Sequence, residues 1–172
     1  MEILLHTCCA PCASHCLTIL SEEYTPILFF SNSNILALEE FEKRLDSVHI
    51  LANKFKLKVI VDEYRHEDWL SQIAGLEKEP EKGNRCTQCF TFNLKRTAEF
   101  ARANHIKYFT TSLTVSPHKS FETISSVGQN FPEFIAFDFK KNNGFLNSIK
   151  LSDELGLYRQ NFCGCEFSMR KV

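Results

Sequence analysis

Ile3-Leu4-Leu5-His6-Thr7-Cys8-Cys9-Ala10-Pro11-Cys12 is a short apolar run that stops at three cysteines packed into five positions. A buried strand that breaks into a turn and then a helix is how an α/β fold holds reactive groups at the C-terminal edge of its sheet, and here those groups are thiols. Two more close pairs lie far downstream, Cys86/Cys89 and Cys163/Cys165. The expectation is a fold that gathers the three clusters around metal.

Outward from that stretch, the chain alternates between strand and helix signals. Ser14 to Leu20 continues as a short helix, and Pro26-Ile27-Leu28-Phe29-Phe30 reads as a second buried strand followed by the turn residues Ser31-Asn32-Ser33-Asn34. Leu38, Phe41, Leu45, Val48, Ala52 and Phe55 recur at three- and four-residue steps, which predicts a helix with one apolar stripe. Lys58 to Val61 is a third strand, and Trp69, Leu70, Ile73 and Ala74 mark a short helix. The charged, proline-broken segment from Gly75 to Asn84 is a loop that leads into Cys86, so the second pair falls where loop becomes helix.

Tyr108 to Leu113 predicts a fourth strand, with Ser116-Pro117 as the N-cap and first residue of the next helix. Phe134 to Phe139 predicts a fifth strand ending at Asp138, and a last helix from about Leu146 to Leu155 closes on Gly156. Strands alternating with helices imply right-handed crossovers. The fold class is therefore α/β, a mainly parallel five-stranded sheet with helices on both faces, in one domain over 1–172 with a cysteine-bearing tail at 157–172.

At 172 residues the chain is long enough to bury roughly 70% of the surface its unfolded form exposes. Eight cysteines fall below the density of a disulfide scaffold. No secretory leader or membrane span is recognisable, which suggests a cytoplasmic protein whose thiols persist reduced. A net charge of -1 argues against coating nucleic acid by overall charge. Local basic candidates are Lys95 with Arg96, Lys140 with Lys141, Arg159, and Arg170-Lys171, each of which taken singly reads as a solvated face.

The spacing Cys9-x-x-Cys12 and Cys86-x-x-Cys89 lets each pair present both sulfurs to one centre, and Gly164 relieves crowding between Cys163 and Cys165. Three chemistries compete: a structural zinc site, an iron–sulfur cluster, and a thiol–disulfide exchanger. Zinc leaves three thiols unexplained and the exchanger leaves two pairs. Cys16 follows Cys12 on a helix face as a small buried hydrophobe, and His6 reads as a core histidine. Asp138 at the strand end is a candidate ligand, proton donor or cap; Tyr158, Arg159 and Gln160 precede the last pair and are candidate substrate contacts. No glycine-rich turn follows the first strand, which disfavours nucleotide chemistry.

His6-Thr7-Cys8-Cys9-Ala10-Pro11-Cys12, Ser31-Asn32-Ser33-Asn34-Ile35, Glu42-Lys43-Arg44-Leu45, Arg85-Cys86-Thr87-Gln88-Cys89, Phe109 to Leu113 with Ser116-Pro117, and Leu157 to Cys165 together resemble the cobalamin-independent epoxyqueuosine reductases, the QueH type. The resemblance implies an adenine-nucleotide α-hydrolase-like (HUP-like) fold in which the cysteine loop stands in place of a phosphate loop. It implies reduction of the epoxide of epoxyqueuosine at the tRNA wobble position, the last step of queuosine synthesis. The implied cofactors are a [4Fe-4S] cluster and an adjacent mononuclear iron. Cys8, Cys9, Cys86, Cys89, Cys163 and Cys165 would bind the cofactor, and these six together with Cys12 would make up the metal ligands. Asp138, Tyr158 and Arg159 would serve catalysis. The partners would be the tRNA anticodon loop, gripped in part by Arg44 and nearby lysines, and an external electron donor.

Overall fold

The computed structural model describes residues 1–169, so the basic candidates Arg170 and Lys171 lie outside the described residues. Strands β1 (Glu2–His6), β2 (Thr25–Phe30), β3 (Val59–Val61) and β4 (Phe109–Thr111) form one sheet in the order β3-β2-β1-β4. Every pairing is parallel. Helices α1 (Ala10–Leu20), α2 (Leu38–Phe55), α3 (His66–Gln72), α4 (Asn84–Ala103), α5 (Phe121–Gly128) and α6 (Gly144–Glu154) make up the rest of the regular structure, with 3-10 turns at Ser112–Val115 and Glu166–Ser168.

Alternation along the strands divides the core into two layers. Ile3, Leu5, Leu28 and Phe30 pack with Leu17, Val48 and Leu51 on one side; Leu4, Phe29 and Phe109 pack with Leu94, Ala98 and Ile124 on the other. Helices therefore cover both faces, as a parallel sheet buried on both sides requires.

The sheet has four strands, not five. Residues 134–139 make a single bridge, Phe134 to Phe109, closed by Phe109 N–H to the Glu133 carbonyl and Ile135 N–H to the Phe109 carbonyl, both 2.9 Å. Pairing goes no further than this bridge, and β4 itself ends at Thr111, where the chain coils into the 3-10 turn at Ser112. The Phe137 carbonyl accepts from the Thr114 hydroxyl instead, at 2.8 Å. The apolar pattern that suggested a strand is satisfied by packing: Phe139 is buried and stacks on Phe137.

Helix ends also differ from expectation. The cysteine loop is itself the start of α1, with Cys9 at the N-cap and Pro11 in the first turn. Ser116-Pro117 belongs to a turn, and α5 begins four residues later, capped by the Ser120 hydroxyl accepting from Thr123 N–H. Gly156 does end α6 in the left-handed region at φ 61°, with Leu157 N–H bonded back to the Ser152 carbonyl at 2.9 Å.

α6 starts at Gly144, where a Cβ would stand 1.7 Å from the Phe139 carbonyl oxygen and 2.8 Å from the His15 ring. That close approach lets α1 and α6 pack. Gly144→Ala is expected to cost about 3 kcal/mol, since backbone must move to admit it. Urea unfolding measures the loss; an unchanged midpoint would show that the turn yields freely.

Candidate metal centre

The order β3-β2-β1-β4 reverses direction between β1 and β4, and ligands of open α/β sheets bind in the crevice at such a point, beyond the carboxyl ends of the strands. His6 knits that edge. Its Nε2 lies 3.0 Å from the Ser31 carbonyl, which can only accept, so Nε2 carries the hydrogen and Nδ1 accepts from the Thr111 hydroxyl at 2.8 Å. Burial pushes its pKa down to about 4, so the ring is neutral, a satisfied core histidine linking β1, β2 and β4. Asn32 Nδ2 donates to the Thr7 carbonyl at 2.9 Å, and Cys8 N–H donates to Ser112 Oγ at 3.1 Å.

On this edge the sulfurs of Cys8, Cys9 and Cys12 all lie within 4.8 Å of one another. Hydrogen bonds from the Cys12 and Cys8 thiols, with help from Gln160, outweigh burial and hold the Cys9 thiol well below its ordinary range. Those bonds and burial push Cys12 upward. The Cys12 contact favours the Cys8 thiolate, but the bond to Cys9 and burial prevail and raise Cys8 to about 12. The shifts within the triad run in opposite senses, Cys9 downward and Cys8 and Cys12 upward. Three soft donors at the start of a helix, Cys9 buried and Cys8 and Cys12 half-buried, fit a thiophilic metal or an iron–sulfur group.

The triad opens into a cleft of about 670 Å³, which Cys89 and Cys163 also line. Cys89 sits on α4, and burial, reinforced by the charge of Cys163, raises its thiol. Asn93 Nδ2 lies 3.7 Å from its sulfur. Cys165 packs with Trp69, Ile73 and Cys89, and burial raises it too. Cys86, one turn before Cys89, receives the Lys82 N–H at 3.3 Å. Cys16 is fully buried, and its thiol donates to the Cys12 carbonyl at 3.3 Å.

The tail that carries Cys163 and Cys165 is clamped by Arg44, which is only 3% exposed. Its Nη1 and Nη2 donate to the Cys163 and Phe162 carbonyls at 2.9 and 3.2 Å, and Nε donates to Glu40 at 2.7 Å. All three of its nitrogens are bonded within the protein, so Arg44 holds the tail. Gly164, at φ 120°, runs so close to Ile35 and Arg44 that a Cβ would meet them at 3.0 and 3.2 Å.

Of the remaining candidates, Arg159 is exposed and lines the cleft. Tyr158 lies against α2, its backbone N–H donating to Ser47 and its hydroxyl to Glu40 at 2.8 Å. Asp138 accepts from the Lys140 N–H at 3.3 Å, the bond of a turn cap. Neither Tyr158 nor Asp138 is among the cleft-lining residues. Lys140 ties its ammonium to the Lys119 carbonyl, Lys95 pairs with Glu99, and Arg96 pairs with Asp62.

Sequence reasoning missed Lys119, a half-buried lysine in the cleft wall; the charges of Cys163, then Cys8, Cys12 and Cys9, raise its pKa against the effect of burial. It also missed Asn34 and Asn93. The only available signal for Lys119 was its place just after Ser116-Pro117 at the end of a strand.

Asp62 closes the edge at β3. Burial alone would raise its carboxyl, but the Arg96 guanidinium, bonded at 2.5 and 2.6 Å, and the Ser31 hydroxyl at 2.7 Å hold it below the ordinary range. A carboxyl depressed in the fold adds stability that is present above its unfolded value and lost as pH falls through the folded one. Acid unfolding of Arg96→Ala should therefore lose part of its slope below about pH 4, and at neutral pH the variant should be about 2 kcal/mol less stable. Parallel pH curves for the two proteins would contradict this.

The fold and site define a class: a parallel α/β protein whose sheet edge bears a thiol-built candidate metal centre. Among the described residues no helix is long and apolar enough to cross a membrane. A family model described as epoxyqueuosine reductase QueH matches residues 3–171, and the chain belongs to that family. Proteins named epoxyqueuosine reductase QueH from Thermotoga maritima, Streptococcus pyogenes serotype M1 and Acinetobacter baylyi are 37%, 35% and 34% identical to it. The matches cover 97%, 98% and 98% of this chain and 90%, 71% and 81% of those relatives.

Proposed function

We propose that this protein reduces the epoxide of epoxyqueuosine at the tRNA wobble position to the alkene of queuosine, the last step of queuosine biosynthesis. The observation that carries the reading is the thiol-lined cleft at the switch point of a chain belonging to this reductase family. The fold is the HUP-like α/β class, a single domain over 1–172 with a cysteine-bearing tail at 157–172, of which Arg159 to Cys163 and Phe167 to Met169 line the cleft. The sheet order 3-2-1-4 and the cysteine turn after β1, where a phosphate loop would stand, support it. The enzyme works in the cytoplasm, a reading supported by eight cysteines that the fold leaves unbridged.

Cys8, Cys9, Cys12, Cys86, Cys89, Cys163 and Cys165 would hold a [4Fe-4S] cluster and an adjacent mononuclear iron, which when bound supply single electrons from an external donor and Lewis-acid polarisation of a C–O bond. The reaction consumes two electrons and two protons and releases water. The cleft volume suits one modified nucleoside splayed out of the anticodon loop. Arg159 at the rim contacts the substrate. Tyr158 positions the strand of tail that bears Arg159, and Asp138 acts through the turn that tethers Lys119. Lys119 places a cation beside the sulfurs, offsetting their charge and facing the oxygen that leaves.

The test is anaerobic incubation of reconstituted protein with epoxyqueuosine-containing tRNA and a chemical reductant. Nucleoside mass analysis should show loss of one oxygen atom. Unaltered epoxyqueuosine with a fully loaded protein would overturn the assignment.

A further inference from the structure

Asn93 is 3% exposed, one helical turn beyond Cys89 on the cleft-facing side of α4. Its Nδ2 donates to Asn34 Oδ1 at 3.2 Å and lies 3.7 Å from Cys89 Sγ. Its Oδ1 is buried and accepts from nothing. The Oε1 of Gln160, another residue lining the cleft, is in the same state. With Nδ2 on the Asn34 oxygen and beside the Cys89 sulfur, Oδ1 is the end of the Asn93 amide left without a partner.

Leaving an acceptor buried without a donor costs about 1–3 kcal/mol, and such groups in native proteins call for a partner. Among the described lining residues, the buried side-chain atoms without a partner are these two, and both are acceptors. The missing ligand is therefore rich in donors. An epoxide oxygen has no hydrogen to give. The hydroxyls of the substrate's carbocycle and the amine that joins it to the base do.

We propose that Asn93, oriented by Asn34, forms with Gln160 the subsite that recognises the hydroxyl-bearing carbocycle of the nucleoside, fixing the ring beside the sulfurs. This rests on the substrate reading above. A site built to bond a hydroxyl rejects a ligand that lacks it, because its own acceptor is left unpaired.

The test uses metal-loaded protein and two anticodon stem-loop RNAs, one carrying queuosine and the other 7-aminomethyl-7-deazaguanine, which keeps the amine but lacks the carbocycle. Wild type should bind the first at least about tenfold more tightly. Asn93→Leu, near-isosteric and without an acceptor, should reduce that ratio to about one while affinity for the second RNA and metal content stay unchanged. Asn93→Ala gives the same comparison if leucine does not fit. A variant that keeps the wild-type ratio, or one that loses it only together with metal, would overturn the subsite. A wild type with no preference at all overturns it as well; turnover of epoxyqueuosine in the same preparation then decides whether the reductase reading falls with it.

Discussion

Cys9→Ser is expected to abolish metal retention and to lower epoxyqueuosine turnover by at least about a thousandfold, a barrier increase of about 4 kcal/mol. Cys9 is the one thiol of the triad held acidic by its neighbours, and it sits at the N-cap of α1, where backbone N–H groups favour an anion. A serine hydroxyl does not ionise near neutral pH, so the centre of the sulfur triangle would lose its charge. Cys16→Ala supplies the control from the same helix. Cys16 faces the core, burial keeps it protonated, and its loss should cost stability while leaving metal content unchanged. Metal analysis of both variants checks the pair; iron retained by Cys9→Ser would show that the triad is not the anchor.

The second large effect is expected at a residue that is no ligand. Arg44→Ala should destabilise the protein by about 3–5 kcal/mol, because it leaves the Glu40 carboxylate and two carbonyls without their buried donor. The Cys163 and Phe162 carbonyls then have nothing to hold them, and the tail carrying two of the seven candidate ligands should swing away. Arg44→Lys should not rescue it, since an ammonium cannot span both carbonyls and the carboxylate as a planar guanidinium does. Limited proteolysis and maleimide labelling of Cys165, which is buried whereas Cys163 is already exposed, report tail release directly. Wild-type protection in Arg44→Ala would refute the clamp.

Much of this was legible in the chain because period and punctuation agree. The stripe from Leu38 to Phe55 becomes α2 with the expected bounds, and the apolar run Ile3-Leu4-Leu5 becomes the strand that delivers the thiols. The residues at 134–139 were not legible, because a run of buried aromatics looks the same whether its backbone pairs with a neighbour or only its side chains pack. Ser116-Pro117 carries good helix-start chemistry, yet the Ser120 cap wins and the helix starts later. At the site, cysteine spacing picked out the thiols that the fold gathers, but it carried no information on what surrounds them. The sequence suggests Arg44 only as a phosphate grip, whereas its burial follows from long-range contact with a tail 118 and 119 residues away. Lys119 and Asn93 belong to ordinary-looking segments, and with Asn34, which the sequence marks only as part of a turn motif, they acquire meaning when β4, α4 and that turn meet at one edge.

The central claim is that three separated cysteine segments build one redox-active iron–sulfur centre. Protein purified without oxygen, analysed together for iron, acid-labile sulfide and its absorption and electron paramagnetic resonance spectra, tests it most directly. The account predicts a brown protein with iron and sulfide in excess of a single four-iron cluster and a signal that changes on reduction. A colourless protein holding stoichiometric zinc and no sulfide would contradict it.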